Sequence, residues 1–151
     1  MIKLLLPLLL LISSCGITPI KREVELPPQE LKFDNIPEGK SRVVIYNSSN
    51  WWTHGIDQTG HLNVKLNGKG LGRVDMEKYL VVDATKGKNK IELAHRDILT
   101  FNSEHNLDFN KDKHFLSIYA TAISSKAVMT DITPETVLLD YKPNPPKSFL
   151  K

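Results

Sequence analysis

The sequence predicts an all-β fold, a single small antiparallel β-sandwich, and three observations carry the prediction. Leu62, Val64 and Leu66 alternate with His61, Asn63 and Lys65, the period-2 pattern of a strand with one buried face. Turn signals recur between such runs, at Asn67-Gly68-Lys69-Gly70, at Thr85-Lys86-Gly87-Lys88-Asn89 and at Asn110-Lys111-Asp112-Lys113. Within the region they punctuate, no segment of helical length carries an i, i+3, i+4 apolar stripe. The chain has 151 residues, 40% hydrophobic and 25% charged, which suits one modest core and excludes chain-wide disorder. A net charge of +3 is too small a surplus to argue for nucleic acid, which calls for basic residues clustered on one face. One cysteine excludes an internal disulfide and a Cys-rich zinc site.

The first element is a leader. Met1-Ile2-Lys3 carries one positive charge, and Leu4 to Ile12 is apolar apart from Pro7. As a helix that run spans about 14 Å, roughly half the hydrocarbon thickness of a bilayer. It is too short for a stable transmembrane anchor and has the length of a secretory h-region. It ends in Ile12-Ser13-Ser14-Cys15, an aliphatic residue, two small residues and the sole cysteine. These residues resemble a bacterial lipobox. The resemblance implies that residues 1–14 are a cleaved lipoprotein signal peptide and that Cys15 carries a diacylglyceryl thioether and an acylated amino group. The partner so implied is a membrane, held through the lipid on Cys15. The following residue is Gly16, where an Asp would favour retention at an inner membrane; its absence favours the outer membrane of a cell envelope.

Residues 15–38 read as the lipidated cysteine followed by a flexible, Pro-rich tether. Pro19, Pro27, Pro28 and Pro37 interrupt any helix or central strand, and charged residues separate the few apolar ones. The Leu31–Ile36 stretch is the part expected to dock on the domain edge. Fully extended, the tether would reach at most about 70 Å.

Residues 39–141 read as the sandwich. Arg42-Val43-Val44-Ile45-Tyr46 is a β-branched and aromatic run stopped by Asn47-Ser48-Ser49-Asn50. After the alternating strand at 62–66, Asn67-Gly68 suits both left-handed positions of a type I′ hairpin, and the chain returns through Leu71-Gly72-Arg73-Val74. Tyr79-Leu80-Val81-Val82-Asp83 is the next strand. Gly87 serves the following turn, where only glycine takes positive φ without cost. Ile91 and Leu93 alternate with Lys90 and Glu92. Ile98-Leu99-Thr100-Phe101 and Leu107-Asp108-Phe109 read as two short strands. His114 to Ile123 is the longest run, with Leu116, Ile118 and Ala120 on one face. Thr133-Pro134-Glu135 suits a helix start, Thr as cap and Pro in the first turn; an edge strand at Val137-Leu138-Leu139 is the alternative. Residues 142–151 form a Pro-rich basic tail expected to be extended or disordered.

The run Val43–Tyr46, then Val64-Lys65-Leu66-Asn67-Gly68-Lys69-Gly70-Leu71-Gly72, then Tyr79–Val82, the Gly87 turn, Ile91-Glu92-Leu93 and Phe115–Tyr119 is similar to the DUF2846 family of bacterial lipoprotein β-domains. In its strand, Asn-Gly-Lys, glycine, strand core it also partly resembles the PEGA surface domains. The resemblance covers about residues 40–123 and departs from the pattern at Asn47 and Lys86. It implies a β-sandwich in the envelope and transfers no catalytic residues and no cofactor.

Trp51-Trp52-Thr53-His54 is the stretch best suited to binding. Adjacent residues of an extended segment point to opposite faces, so one tryptophan can cover the core while the other meets a sugar ring, a peptide or a partner protein. Trp51, Trp52 and His54 are therefore the candidate binding residues. The five histidines show no spacing of a metal site, and none is expected. No Gly-x-Ser-x-Gly is present, the serine pairs Ser48-Ser49 and Ser124-Ser125 read as turns, and Asp75/Glu77 and Asp131/Glu135 read as solvated loop carboxylates. No enzyme is expected. Lys86, Lys88, Lys90 and Arg96, with Lys111 and Lys113, are expected near neighbouring turns as a solvated edge that resists aggregation or touches anionic polymers. The expected function is a lipid-anchored envelope module that binds or scaffolds another envelope protein or a glycan. A structural subunit of a secretion or surface apparatus is the alternative, and a cell-wall hydrolase the more distant one.

Overall fold

A computed structural model of the chain describes residues 17–50, 60–97 and 99–144. Among the described residues nine strands form in order: β1 (Lys40–Asn47), β2 (Leu62–Leu66), β3 (Lys69–Val74), β4 (Lys78–Thr85), β5 (Gly87–Arg96), β6 (Thr100–Phe109), β7 (Lys113–Thr121), β8 (Ser124–Thr130) and β9 (Lys142–Pro143). The helix of the described residues, α1 (Pro134–Asp140), lies between the last two. The first sheet has the order β8-β7-β1-β4-β9 and the second β3-β2-β5-β6. Packed face to face, they make the expected all-β sandwich.

Alternation decides what each strand buries. Val43 and Ile45 of β1, Leu62 and Val64 of β2, Ile91 and Leu93 of β5, and Leu116 and Ile118 of β7 point into the space between the sheets, each essentially solvent-free. The other face of β1 is buried as well. Val44 and Tyr46 join Tyr79, Val81 and Phe115 in a second cluster that Val137 of α1 covers. Burial on both faces explains why β1 reads as a continuous apolar run. It is the central strand of its sheet, paired antiparallel with β4 and parallel with β7. The sandwich is thus not purely antiparallel, because β7 comes back beside β1 only after the whole second sheet has been laid down.

The turns follow their chemistry. Asn67 and Gly68 take φ of 51° and 81°, as a type I′ turn requires, and Gly87 takes 96°. Thr133 caps α1 through its hydroxyl and Pro134 opens the first turn, so the segment is a helix and not an edge strand. Three expectations are corrected. Thr100 and Phe101 of the short strand expected at 98–101 and the whole of that expected at 107–109 belong to the single strand β6, while Leu99 lies outside it. Ser124-Ser125, read as a turn, opens β8. At the tail, Lys142 and Pro143 pair with Lys78 and Tyr79, and Asn144 donates to the Arg73 carbonyl, so the domain runs to residue 144.

The largest correction concerns the tether. From Ile17 to Asp34 the chain is a strap bound to the sandwich. Its first residues cross the outer face of the second sheet: Asn63 donates to the Thr18 carbonyl (2.8 Å) and accepts from the Ile20 amide (3.3 Å). It then follows the edge of β3, where Glu23 N donates to the Gly70 carbonyl and Gly70 N donates to Glu23 Oε2. Val24 and Leu26 close the open side of the core. Gln29 satisfies the edge of β4 as a strand would, accepting from Val81 N (2.8 Å) and donating to its carbonyl (3.0 Å). Leu31 and Phe33 finish on the outer face of the first sheet, Phe33 edge-on to Phe115. The prolines exclude regular structure, but side chains and edge groups of the sandwich meet the backbone's hydrogen-bonding needs instead.

Candidate functional site

The strands define two poles. The ends of β1, β3, β5 and β7 and the starts of β2, β4, β6 and β8 lie at one, together with β9. Strap residues 23 to 17 climb toward that pole, from the level of Gly70 to that of Asn63 and Arg73. Ile17 is buried there, and its carbonyl accepts from Arg73 Nη1 at 3.5 Å. Cys15 precedes it by two residues. The pole at which the chain enters the fold is therefore the one next to the proposed lipid.

Trp51, Trp52 and His54 lie outside the described residues. Their described flanks, Asn50 and Gly60, stand at this same pole. Asn47, fully buried at the end of β1, organises it: its amide donates to the carbonyls of Gly60 (2.7 Å) and Val74 (3.0 Å), while its oxygen accepts from Ser49 N (3.0 Å). Ser49 Oγ in turn accepts from Ala120 N. A short amide with every group used fixes both feet of the segment to β3 and β7. Beside it, Asp75 is held by Arg73 Nε at 2.9 Å and lies 3.0 Å from His61 Nδ1. Asp75 is thus a structural bridge at the β3–β4 turn, not a solvated loop carboxylate.

Two further clusters have the residue types of catalysis. In the first, His95 Nδ1 lies 2.8 Å from Ser125 Oγ, and His105 Nε2 lies 3.1 Å from both the Ser125 carbonyl and Ser103 Oγ. A serine against an imidazole has the contact of a nucleophile and its base. Ser125, however, is wholly buried and His95 nearly so, with Phe101 stacked on the His95 ring. A substrate carbonyl has no way to reach Ser125, and the cluster instead ties β5 and β6 to β8 where the sheets' free edges meet. The sequence missed it because serine pairs read as turns. In the second, Glu92 and Glu104 stand opposite each other on the outer face of β5 and β6, beside a shallow groove of about 220 Å³ that Ile20, Asn63 and Lys65 help to line. Like charges so placed repel. Lys90 bridges them at 2.8 and 3.3 Å, and its hydrogen bond and charge hold the Glu92 carboxyl below its ordinary range. A carboxylate stabilised in its ionised form is the opposite of a general acid.

The basic residues divide between the poles. Lys86, Lys88, Lys111 and Lys113 lie at the pole away from Ile17, where Lys86 pairs with Asp112 at 2.6 Å. Arg96 ends the ten-residue strand that Gly87 begins, so it belongs to the Ile17 pole and the expected single cluster is split. Among the described residues no three His, Cys, Asp or Glu side chains are placed to hold a metal, and no helix is long and apolar enough to cross a membrane.

Burial lowers the affinity of His105 and His114 for a proton from the ordinary value of 6.5, with Lys126 adding to the effect at His105 and Lys111 at His114. The unfolded chain therefore binds more protons than the native one just below pH 6.5. Their contribution to stability is full above that pH and is lost as pH falls. Thermal melts between pH 7.5 and 5 will show Tm dropping with acidification, and the His105→Gln/His114→Gln double variant will show a shallower slope.

Comparison with family models, with curated proteins and with solved structures finds no significant match to the chain.

Proposed function

We propose that the protein is a lipid-anchored component of a bacterial cell envelope, at the outer membrane, whose β-sandwich binds or scaffolds another envelope component. The observation that carries this reading is the junction of leader and fold. A charged, apolar, small-residue leader ends at the only cysteine, and Ile17 is already packed into the sandwich. An anchor so close to the globule confines it to the membrane surface, where even a weak contact acts at high effective concentration. What supports binding over catalysis is the chemistry of the two clusters above: the serine is sealed in, and Glu92, held below its ordinary range by Lys90, does not supply the raised carboxyl of a general acid.

Trp51, Trp52 and His54 remain the proposed contact residues, and the partner is an envelope protein or a glycan. Crosslinking on intact membranes followed by purification tests this. Trp52→Ala will leave the melt within a few degrees of the parent and cut the yield of the crosslinked partner. An unchanged yield would move the binding surface elsewhere, and a collapsed melt would make Trp52 a core residue.

A further inference from the structure

The strap removes the leash that a tether would supply, and this determines which part of the sandwich meets the lipid. Two of the exposed large apolar side chains, Leu99 (66% exposed) and Ile123 (78%), sit at hairpin tips of the Ile17 pole. Arg96 pairs with Thr100 and Thr121 with Ser124, so Leu99 and Ile123 each lie beyond the last rung of their ladders. Just below the tips the two hairpins are tied together by the contact of His95 with Ser125, and His105, farther down β6, reaches the Ser125 carbonyl, which sets the tips side by side. The strap residues Thr18 and Ile20 sit on Asn63 of β2, the strand next to β5, about 5 Å from it. The chain's approach to Cys15 and both tips thus share one end of the molecule.

We propose that Leu99 and Ile123 enter the headgroup region of the bilayer that holds the Cys15 lipid, so that the domain rests pole-down on the membrane. The inference rests on the anchoring proposed for Cys15. Each tip has an exposed basic residue three positions away, Arg96 before Leu99 and Lys126 after Ile123. An apolar side chain that dips into acyl chains beside a cation that stays with anionic headgroups is the composition of an interfacial contact. Of the acidic groups described at this pole, Asp75 is bridged by Arg73, Glu77 lies on the β3–β4 turn next to β9, at the other margin of the sandwich, and Asp97 stands half-buried in the Leu99 hairpin, its amide donating to the Leu99 carbonyl. Acylation of Cys15 supplies one attachment, and the tips supply a second that fixes orientation.

The test uses the mature lipidated chain reconstituted in vesicles of phosphatidylcholine and phosphatidylglycerol. With the Cys15 thiol consumed by lipid, Leu99→Cys, Ile123→Cys and Lys88→Cys each offer a single site for a polarity-sensitive fluorophore. Labels at 99 and 123 will shift to the blue, resist iodide quenching and be quenched by nitroxide lipids, whereas the label at 88, on the far pole, will stay aqueous. If the protein floats with the vesicles yet labels at 99 and 123 are as open to iodide as that at 88, the proposal is overturned while anchoring stands, and the tips are left to a protein partner. Failure of the parent chain to float would overturn both.

Discussion

Cys15→Ser will move the protein from the membrane fraction to the soluble fraction without changing the fold of residues 17–144. Each buried methylene is worth about 0.8 kcal/mol, and stable attachment takes two acyl chains or one chain with a second signal. Loss of every chain at once leaves only the contacts of the domain itself. We expect the membrane-bound share, measured by fractionation and flotation, to fall by about an order of magnitude or more. Circular dichroism and the melt of the domain will be unaltered, because Ile17 and the strap residues after it hold the sandwich through contacts of their own. A variant that still floats with membranes would mean that retention does not depend on this thiol.

Arg42→Ala carries the second large effect, this time on stability. Arg42 grips Asp83 with two parallel bonds, Nε to Oδ1 at 2.9 Å and Nη2 to Oδ2 at 3.0 Å, and its Nη1 reaches the strap carbonyls of Lys32 (2.8 Å) and Asp34 (3.2 Å). The side chain is almost fully buried, and the Asp83 bond raises its already high affinity for the proton. Truncation leaves a largely buried carboxylate without its partner, a loss of about 3–5 kcal/mol in comparable sites. The strap also loses the fastening at its end. Two readouts follow: a lower urea midpoint, and tryptic cleavage after Lys32 faster than in the parent, where Arg42 holds the Lys32 carbonyl. Equal midpoints and equal cleavage would show that the other contacts of the strap hold it without Arg42. Gly70→Ala tests the opposite end of the strap, because a Cβ there would drive into the Lys21 carbonyl oxygen.

How much of this could be read from the residues depends on what each segment buries. The strands at 62–66 and 91–93 were legible because one face is apolar and the other polar, and the Asn67-Gly68 and Gly87 turns because their backbone demands those residues. β6 was not. Its inward positions are Phe101, Ser103, His105, Leu107 and Phe109, and the polar pair in the middle breaks the pattern into two fragments. That pair is half-buried, and His105, in contact with Ser103 Oγ, meets the Ser125 carbonyl at the edge of β8, a reason that exists only in three dimensions. The strap is the instructive case. Arg22, Val24 and Leu26, and again Leu31 and Phe33, alternate inward between exposed residues, so a period of two was present. The prolines argued against a strand, and correctly so, but a chain need not be a strand to lie along one. Gly70 and Gly72 were read as hairpin residues, whereas Gly70 is bare because the strap backbone presses on it. The proposed lipid site rests entirely on the leader, and the burial of Ile17, two residues after Cys15, was not legible at all.

The account depends most on a single sulfur atom. Mass spectrometry of protein isolated from its native membranes, intact and after digestion, measures the modification directly. The predicted result is a chain that begins at Cys15 and bears a thioether-linked diacylglyceryl group. A chain that retains residues 1–14, or one whose Cys15 has a free thiol, would contradict it.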